Sequence, residues 1–433
     1  MKIRGKKRLK GEIKLPGDKS ISHRAVILGS ISEGETNIRN ILLSNDTLNT
    51  IEIFQKLGVS IEVDYKNNNV KIIGKGLRGL VSPNEELYCG NSGTSMRLLS
   101  GILSAQKFPS ILTGDESLSK RPMNRVVNPL SLMNANIKCY NDNFPPIEIF
   151  PANELSGIEY TLPVASAQVK SAILLASLYS EGQTIIRENK VTRDHTERML
   201  DYFGVNIEYN NNLTRMNNAN NLYGKDIEIP GDISSAAFFI VAATTIEGSS
   251  VILKDVGINP TRIGIIDILL RMGADIKIEN SRVVNNEPVG DLIIKNKPLS
   301  CVEIKGDIIG TLIDEIPIIA VAASLANGDT IIRNAEELKN KETDRILAIS
   351  KELNKMGANI EPLPDGLIIH GNSELKESVV DSHNDHRIAM ALSIAALNID
   401  GITEITNSDC IDVSYPEFYK DLGNLTGKLF EIN

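Results

Sequence analysis

The chain has 433 residues, more than one hydrophobic core normally supports, so two domains of roughly 200 residues each are expected. Apolar residues at 42% exclude a disordered chain, and a net charge of −9 with no basic run beyond Lys6, Lys7 and Arg8 argues against nucleic acid as a partner. Cys89, Cys139, Cys301 and Cys410 lie far apart with no C-x-x-C, so neither a zinc site nor a disulfide framework is indicated. The N-terminus is basic but lacks an apolar h-region, and no run approaches about 18 apolar residues, so the expectation is a cytoplasmic chain that is neither secreted nor membrane-spanning.

Taken in order, the first informative stretch is Leu15 to Gly34, LPGDKSISHRAVILGSISEG, in which a polar loop runs into an apolar helix. Gly17 frees the turn, Ser20 or Ser22 is expected to cap the helix, and Lys19 and Arg24 add charge beside N–H groups that already favour an anion. For one such loop, an ordinary solvated cap explains the residues equally well. Repetition decides the matter.

An acidic or Asn residue followed by Gly and a β-like run recurs at Glu33-Gly34, Glu181-Gly182, Glu247-Gly248, Asn327-Gly328 and Asp400-Gly401. A second signature ends an amphipathic helix each time: LGVSI at Leu57, FGVNI at Phe203, MGADI at Met272, MGANI at Met356, and MNANI at Met133 without the Gly. These mark six units of roughly 70 residues, each reading strand, loop, helix, strand, helix, strand, with the sixth degenerate near LGNLTGK. The first helices, such as AILLASLYS, AAFFIVAATTI and IPIIAVAASLA, are apolar on every side and should be buried all round. The second helices, such as NTIEIFQKL and RILAISKELNKM, keep a polar face. Three units can bury their first helices in a common centre with sheets outside, giving an α/β domain over 16–230 and a second over 231–433, with residues 1–15 completing the second. The boundary rests on Pro230-Gly231.

The chemistry is expected where first-helix N-termini from both halves converge on one cleft, because their dipoles would sum on a multiply anionic ligand. Those loops read GDKSISHR at Gly17, GNSGTSMR at Gly90, ASAQVKS at Ala165, PGDISS at Pro230, IDEIP at Ile313 and SHNDHR at Ser382. Neighbouring loops add SKRP at Ser119, TRDHTER at Thr192, NPTR at Asn259 and NKETDR at Asn340. Lys19, Arg24, Arg97, Arg121, Lys170, Arg193, Lys341, Arg345 and Arg387 recur in them, and guanidinium groups suit carboxylates and phosphates. Asp314 and Glu342 stand among these cations as candidate acid and base, although an Asp in a first helical turn is favoured for helix reasons alone. His383, Asp385 and His386 look like a metal cluster, but an N-capped helix start explains them better, and Arg387 would oppose a cation.

The motifs LPGDKSISHRA, GNSGTSMRLLSG, SAQVKSA, K-E-T-D-R, NDHRIAMA and SYPEF run nearly end to end. On them the chain resembles the 5-enolpyruvylshikimate-3-phosphate synthase family, shikimate-pathway enzymes that transfer the enolpyruvyl group of phosphoenolpyruvate. The resemblance implies two similar domains, each of three βαβαββ units with buried helices, an inside-out α/β barrel closing on its substrates. It places shikimate 3-phosphate on Lys19, Ser20, Arg24, Ser166, Gln168, Thr192, Asp314 and Lys341. It places phosphoenolpyruvate on Lys19, Asn91, Gly93, Thr94, Arg121, Gln168, Arg345 and Arg387. Asp314 would take the proton of the attacking 5-hydroxyl, Glu342 would handle the proton at the methylene, and Lys19 would serve both. No metal or organic cofactor is implied, and a monomer is expected. Many members carry a Lys just before S-Y-P, where this chain has Asp412 and Val413; Lys428 is a substitute to consider. The chain is also similar to the glyphosate-tolerant class at G-D-K-S (Gly17), S-A-Q-x-K (Ser166), R-D-H-T-E (Arg193) and N-P-T-R (Asn259), and Ser92 replaces an Ala common in the sensitive class. Two rivals are an enolpyruvyl transferase acting on UDP-N-acetylglucosamine, which typically has Lys-Asn where this chain has Lys19-Ser20, and a binding protein without chemistry.

Overall fold

The alternation of strands and helices closes into small sheets, each backed by its own helices. A computed structural model describes residues 1–427 apart from 211 and 220. Among them are five four-stranded sheets and one of three strands. In a representative repeat the strands Glu159–Leu162 and Thr184–Glu188 run parallel, joined through the helix Ala167–Ser177. The helix His195–Tyr202 then leads to Ile207–Asn210 and Leu213–Met216, which add antiparallel pairs in the order first, second, fourth, third. That repeat is βαβαββ, and the other four-stranded sheets follow the same order. The sheet that stays at three strands is made of Val379–Asp381, Ile402–Thr406 and Lys2–Arg4.

The chain folds into two compact units, Gly17–Ile229 with Val284–Glu287, and Met1–Pro16 with Pro230–Val283 and Pro288 onward. Residues 284–287 join the first unit because Glu287 Oε1 lies 2.7 Å from His195 Nδ1 and the Asn286 carbonyl accepts from Arg198 Nη1 at 2.8 Å. In that unit the opening strand of the first sheet comes from its far end: Asp226–Glu228 runs parallel to Glu33–Arg39. The other unit draws on the start of the chain, with Lys10–Lys14 parallel to Ser250–Gly257 and Lys2–Arg4 antiparallel to Ile402–Thr406.

Each unit has its own hydrophobic core, built on the first helices of its repeats. Ile233–Thr245, Ile316–Leu325 and His386–Leu397 pack against one another, and are buried nearly throughout. Their serine hydroxyls cost little there, because Ser324 and Ser393 donate to the carbonyls four residues back, as Ser100 and Ser177 do in the other unit. Small residues let backbones approach closely. A Cβ on Gly101 would sit 2.2 Å from the Ala172 carbonyl oxygen, so Gly93–Leu103 and Ala167–Ser177 can touch only because that side chain is absent. Gly306 to Leu325 forms one continuous helical run, long and apolar enough by length and composition to cross a bilayer, and about two thirds of its most apolar 18 residues are buried inside the protein. The sequence hides this run because Asp307, Asp314 and Glu315 interrupt the apolar residues.

Second helices carry one buried face, as periodicity predicts: Asn45–Lys56 buries Ile51, Ile53 and Phe54, and exposes Glu52 and Gln55. The signature that follows them has a backbone cause. Gly58, Gly204, Gly273 and Gly357 take φ between 87° and 97°, just past the helix end, and Asn134 takes φ 68° in the repeat that lacks the glycine.

Candidate active site

In the first unit the expected residues gather at the N-termini of three buried helices. The cap of Lys19–Ser30 is Asp18, which accepts from Ile21 N at 2.9 Å; neither Ser20 nor Ser22 does this. Ser22 instead accepts from Leu42 N at 3.1 Å, because the helix begins at Lys19, two residues before the start that a Ser20 cap would give. Lys19 pairs with Asp46 at the start of Asn45–Lys56. Arg24 is 5% exposed and donates to Thr196 Oγ1 at 2.6 Å, Ser171 Oγ at 2.8 Å and the Ser20 carbonyl at 2.9 Å. Burial draws this guanidinium down to about 10, against a raising influence from Glu197.

A second knot ties the loops around Gly93–Leu103. Arg121 Nη2 donates to Asn91 Oδ1 at 2.6 Å, and Asn91 Nδ2 donates to Asp115 Oδ2 at 2.7 Å. Gln168 Nε2 donates to Thr94 Oγ1 at 2.9 Å, while its carbonyl accepts from Arg97. Asn91 with Arg121, and Thr94 with Gln168, are thus held in pairs before any ligand arrives. A Cβ on Gly93 would lie 2.9 Å from Arg97 Nη1. Ser92 turns its hydroxyl away from this space: it caps the helix, accepting from Ser95 N at 3.1 Å and Ser95 Oγ at 2.7 Å, and is 2% exposed. Ser166 caps Ala167–Ser177 through Val169 N at 3.4 Å, and Thr192 donates to Glu188.

In the second unit a buried arginine organises the carboxylates. Arg345, 1% exposed, donates from Nε to Asp385 Oδ2 at 2.7 Å, from Nη2 to Glu342 Oε2 at 2.6 Å and from Nη1 to Asp314 Oδ1 at 3.3 Å. Burial alone would lower its proton affinity, but Asp385, then Glu342 and Asp314, hold it above its ordinary value. Lys341 Nζ reaches the same Asp314 oxygen at 3.1 Å. Arg387 donates to the Asp314 carbonyl at 3.3 Å and lies 3.5 Å from Glu315 Oε1, which also accepts from Ser234. Asp385 caps His386–Leu397 through Arg387 N at 2.9 Å, so it both starts a helix and anchors Arg345.

Sequence reasoning missed Asp46, Asp115, Ser171 and Thr196, and took Asp385 only for a cap. Each partners a site cation or a loop residue across 24 to 172 positions, a distance at which no spacing rule operates. Asp412 lies in the 3₁₀ turn Ser408–Val413, where burial and Asp409 raise its carboxyl, and Lys428 lies outside the described residues.

Fold and loops together define a mixed α/β protein of βαβαββ repeats, with cations at its buried helix starts and carboxylates beside cations. The family described as EPSP synthase (3-phosphoshikimate 1-carboxyvinyltransferase) matches residues 3–422. A 3-phosphoshikimate 1-carboxyvinyltransferase of Oceanobacillus iheyensis is 52% identical over 418 residues, covering 96% of this chain and 97% of that protein. The solved EPSP synthase of Acinetobacter baumannii superposes with a TM-score of 0.89 at 45% identity, covering 99% of each chain. The enolpyruvyl transferase NikO of Streptomyces tendae, 18% identical, shares the fold, with a TM-score of 0.80 and coverage of 99% and 98%. The chain belongs to the EPSP synthase family.

Proposed function

We propose that this chain transfers the enolpyruvyl group of phosphoenolpyruvate to the 5-hydroxyl of shikimate 3-phosphate, on the way to chorismate and the aromatic amino acids. The observation that carries the mechanism is that Asp314 and Glu342 share one buried arginine, at 3.3 and 2.6 Å. Asp314 takes the proton of the 5-hydroxyl as its oxygen bonds to C2 of phosphoenolpyruvate, and Glu342 delivers a proton to the methylene carbon. The resulting tetrahedral intermediate loses phosphate as a proton leaves the methyl group, restoring the double bond. Arg345 fixes the distance between the two carboxylates and, with Arg121 and Arg387, supplies the charge that phosphoenolpyruvate needs. Its present bonds to three carboxylates mean that binding phosphoenolpyruvate directly would require one of them to open. Lys19, Ser20, Arg24, Ser166, Gln168, Thr192 and Lys341 hold shikimate 3-phosphate; Thr192 must release Glu188 to offer its proton. Asn91, Gly93 and Thr94 line the phosphoenolpyruvate loop.

The chain acts as a cytoplasmic monomer on small molecules, with no metal or organic cofactor and no nucleic-acid or membrane partner. Phosphate release with shikimate 3-phosphate as acceptor, and none with UDP-N-acetylglucosamine, is the expected result. Turnover with the nucleotide sugar, or with neither acceptor, would overturn the assignment.

Glyphosate competes with phosphoenolpyruvate in this family, and reduced sensitivity is proposed here. The Ser92 hydroxyl turns inward and caps its helix. The four patterns point to buried support instead: Lys170 of S-A-Q-x-K pairs with Glu197 of R-D-H-T-E, and Arg262 of N-P-T-R donates to Ser234 Oγ at 2.7 Å. An inhibition constant below the KM for phosphoenolpyruvate would refute tolerance; one above it by about 10-fold or more is expected.

A further inference from the structure

Arg24 is buried, but the acceptors that hold it are all neutral: the hydroxyls of Thr196 and Ser171 and the carbonyl of Ser20, at 2.6, 2.8 and 2.9 Å. A buried arginine is usually met by a carboxylate, since an unpaired charge away from water is costly. Glu197, Asp18 and Glu287 are the acids that act on Arg24, in that order; Asp18 is engaged as the helix cap and Glu287 faces His195 Nδ1 at 2.7 Å. Glu188 and Glu197 are 6% and 1% exposed. Both are engaged elsewhere: Lys170 Nζ takes Glu188 Oε2 at 2.7 Å and Glu197 Oε1 at 2.6 Å. The Thr196 and Ser171 hydroxyls, 2.6 Å apart, hold the guanidinium, and each residue is the sequence neighbour of a member of that ion cluster. Both residues are 1% exposed, so their scope for touching a ligand is small; what they can do is fix where Arg24 points.

We infer that Thr196 and Ser171 are positioning residues that hold Arg24 with no carboxylate in contact, ready for an anionic group of shikimate 3-phosphate, while Lys170 keeps Glu188 and Glu197 occupied. This rests on the reaction proposed above. An anionic group approaching Arg24 then need not displace an internal carboxylate, whereas a contact ion pair would have to be broken first. The arrangement also gives S-A-Q-x-K and R-D-H-T-E one shared purpose, because Lys170 and Ser171 belong to the first helix and Thr196 and Glu197 to the second.

Thr196→Val keeps shape and removes the acceptor, and Thr196→Ser keeps the acceptor. Affinity for shikimate 3-phosphate alone is read by calorimetry, and the KM of each substrate by phosphate release. The expected result is that Thr196→Val weakens shikimate 3-phosphate by about tenfold or more with the phosphoenolpyruvate KM within about twofold, and that Thr196→Ser restores it. Undiminished affinity in Thr196→Val, equal loss for both substrates, or a Thr196→Ser as impaired as the valine variant would overturn the inference. Should the valine variant not fold, Ser171→Ala removes the second acceptor and is judged by the same measurements. A wild-type chain that binds shikimate 3-phosphate but releases no phosphate would sink the assigned reaction and leave this binding result standing; one that does not bind it would sink both.

Discussion

Arg24 and Arg345 are both buried and are held in opposite ways, one by hydroxyls and a carbonyl and one by three carboxylates. For Arg345 the surrounding acids make each carboxylate partly structural, so an alanine scan would mix catalysis with stability. Glu342→Gln is the cleaner change: it keeps an oxygen for Arg345 and removes the proton carrier. It should lower kcat by about 10² or more with Tm little altered, and near-normal turnover would remove Glu342 from the mechanism. A second residue-scale prediction concerns His23, fully buried against Thr50 Oγ1 at 2.9 Å with Nε2 lacking a partner. Burial first, then Lys19 and Arg24, hold its imidazole well below 6.5. The unfolded chain takes up a proton there that the folded chain refuses, so the stability tied to His23 is whole above the unfolded value and is lost as pH falls below it. The loss is at most about 1.4 kcal/mol per pH unit. Denaturant unfolding between pH 6.5 and 5.5 should show a shallower slope in His23→Asn than in the wild-type chain; equal slopes would assign the effect to another group. At this scale the cations were legible in the sequence because they sit next to their own helix starts. Their partners Asp46, Thr196 and Ser171 were not, because tertiary folding alone brings them together.

The repeated elements were readable because their punctuation has a backbone reason. A residue with positive φ must follow each second helix, and Gly or Asn meets that need at low strain. Asn134→Ala should therefore destabilise by about 1 kcal/mol, whereas Asn134→Gly should be close to neutral, as measured by the denaturant midpoint. Periodicity also gave the buried character of the first helices. It could not give which pair touches most closely, since that depends on the packing of Gly101 on Ala172. Gly101→Ala would place a methyl group against backbone, which cannot rotate away. The expected cost is about 1–3 kcal/mol, with weaker binding of both substrates, because the two helices carry Thr94 and Gln168 at their starts. A variant of wild-type Tm and KM would show that the helices part without penalty. Helix starts were less legible than helices: Ser20 and Ser22 looked like caps, yet Asp18 caps, because both serines fall inside the first turn and a half.

At the scale of the whole molecule, two separate cores should yield separable responses. Phe418, fully buried, stacks on Phe238, Phe239 and Tyr415 in one unit, with ring centroids 5.9, 5.7 and 5.6 Å away. Phe418→Ala should cost that unit about 3–5 kcal/mol and speed amide exchange in Ile233–Thr245, while exchange in Gly93–Leu103 stays within about twofold. Equal acceleration in both helices would mean that the cores unfold as one. Sequence repeats revealed six modules but not how the strands are shared among them, since a three-residue strand such as Asp226–Glu228 carries too little pattern to announce its partner. That sharing has a consequence in time. Ribosomal synthesis makes Lys2–Arg4 and Lys10–Lys14 well before Ile402–Thr406 and Ser250–Gly257, their neighbours in the sheets, so these strands wait for partners made much later. The unit that starts at Gly17 has all three of its sheets in hand once Glu228 has emerged, and should resist protease in stalled nascent chains long before the other unit does. The chain thus opens one half, finishes the other, and returns to close the first.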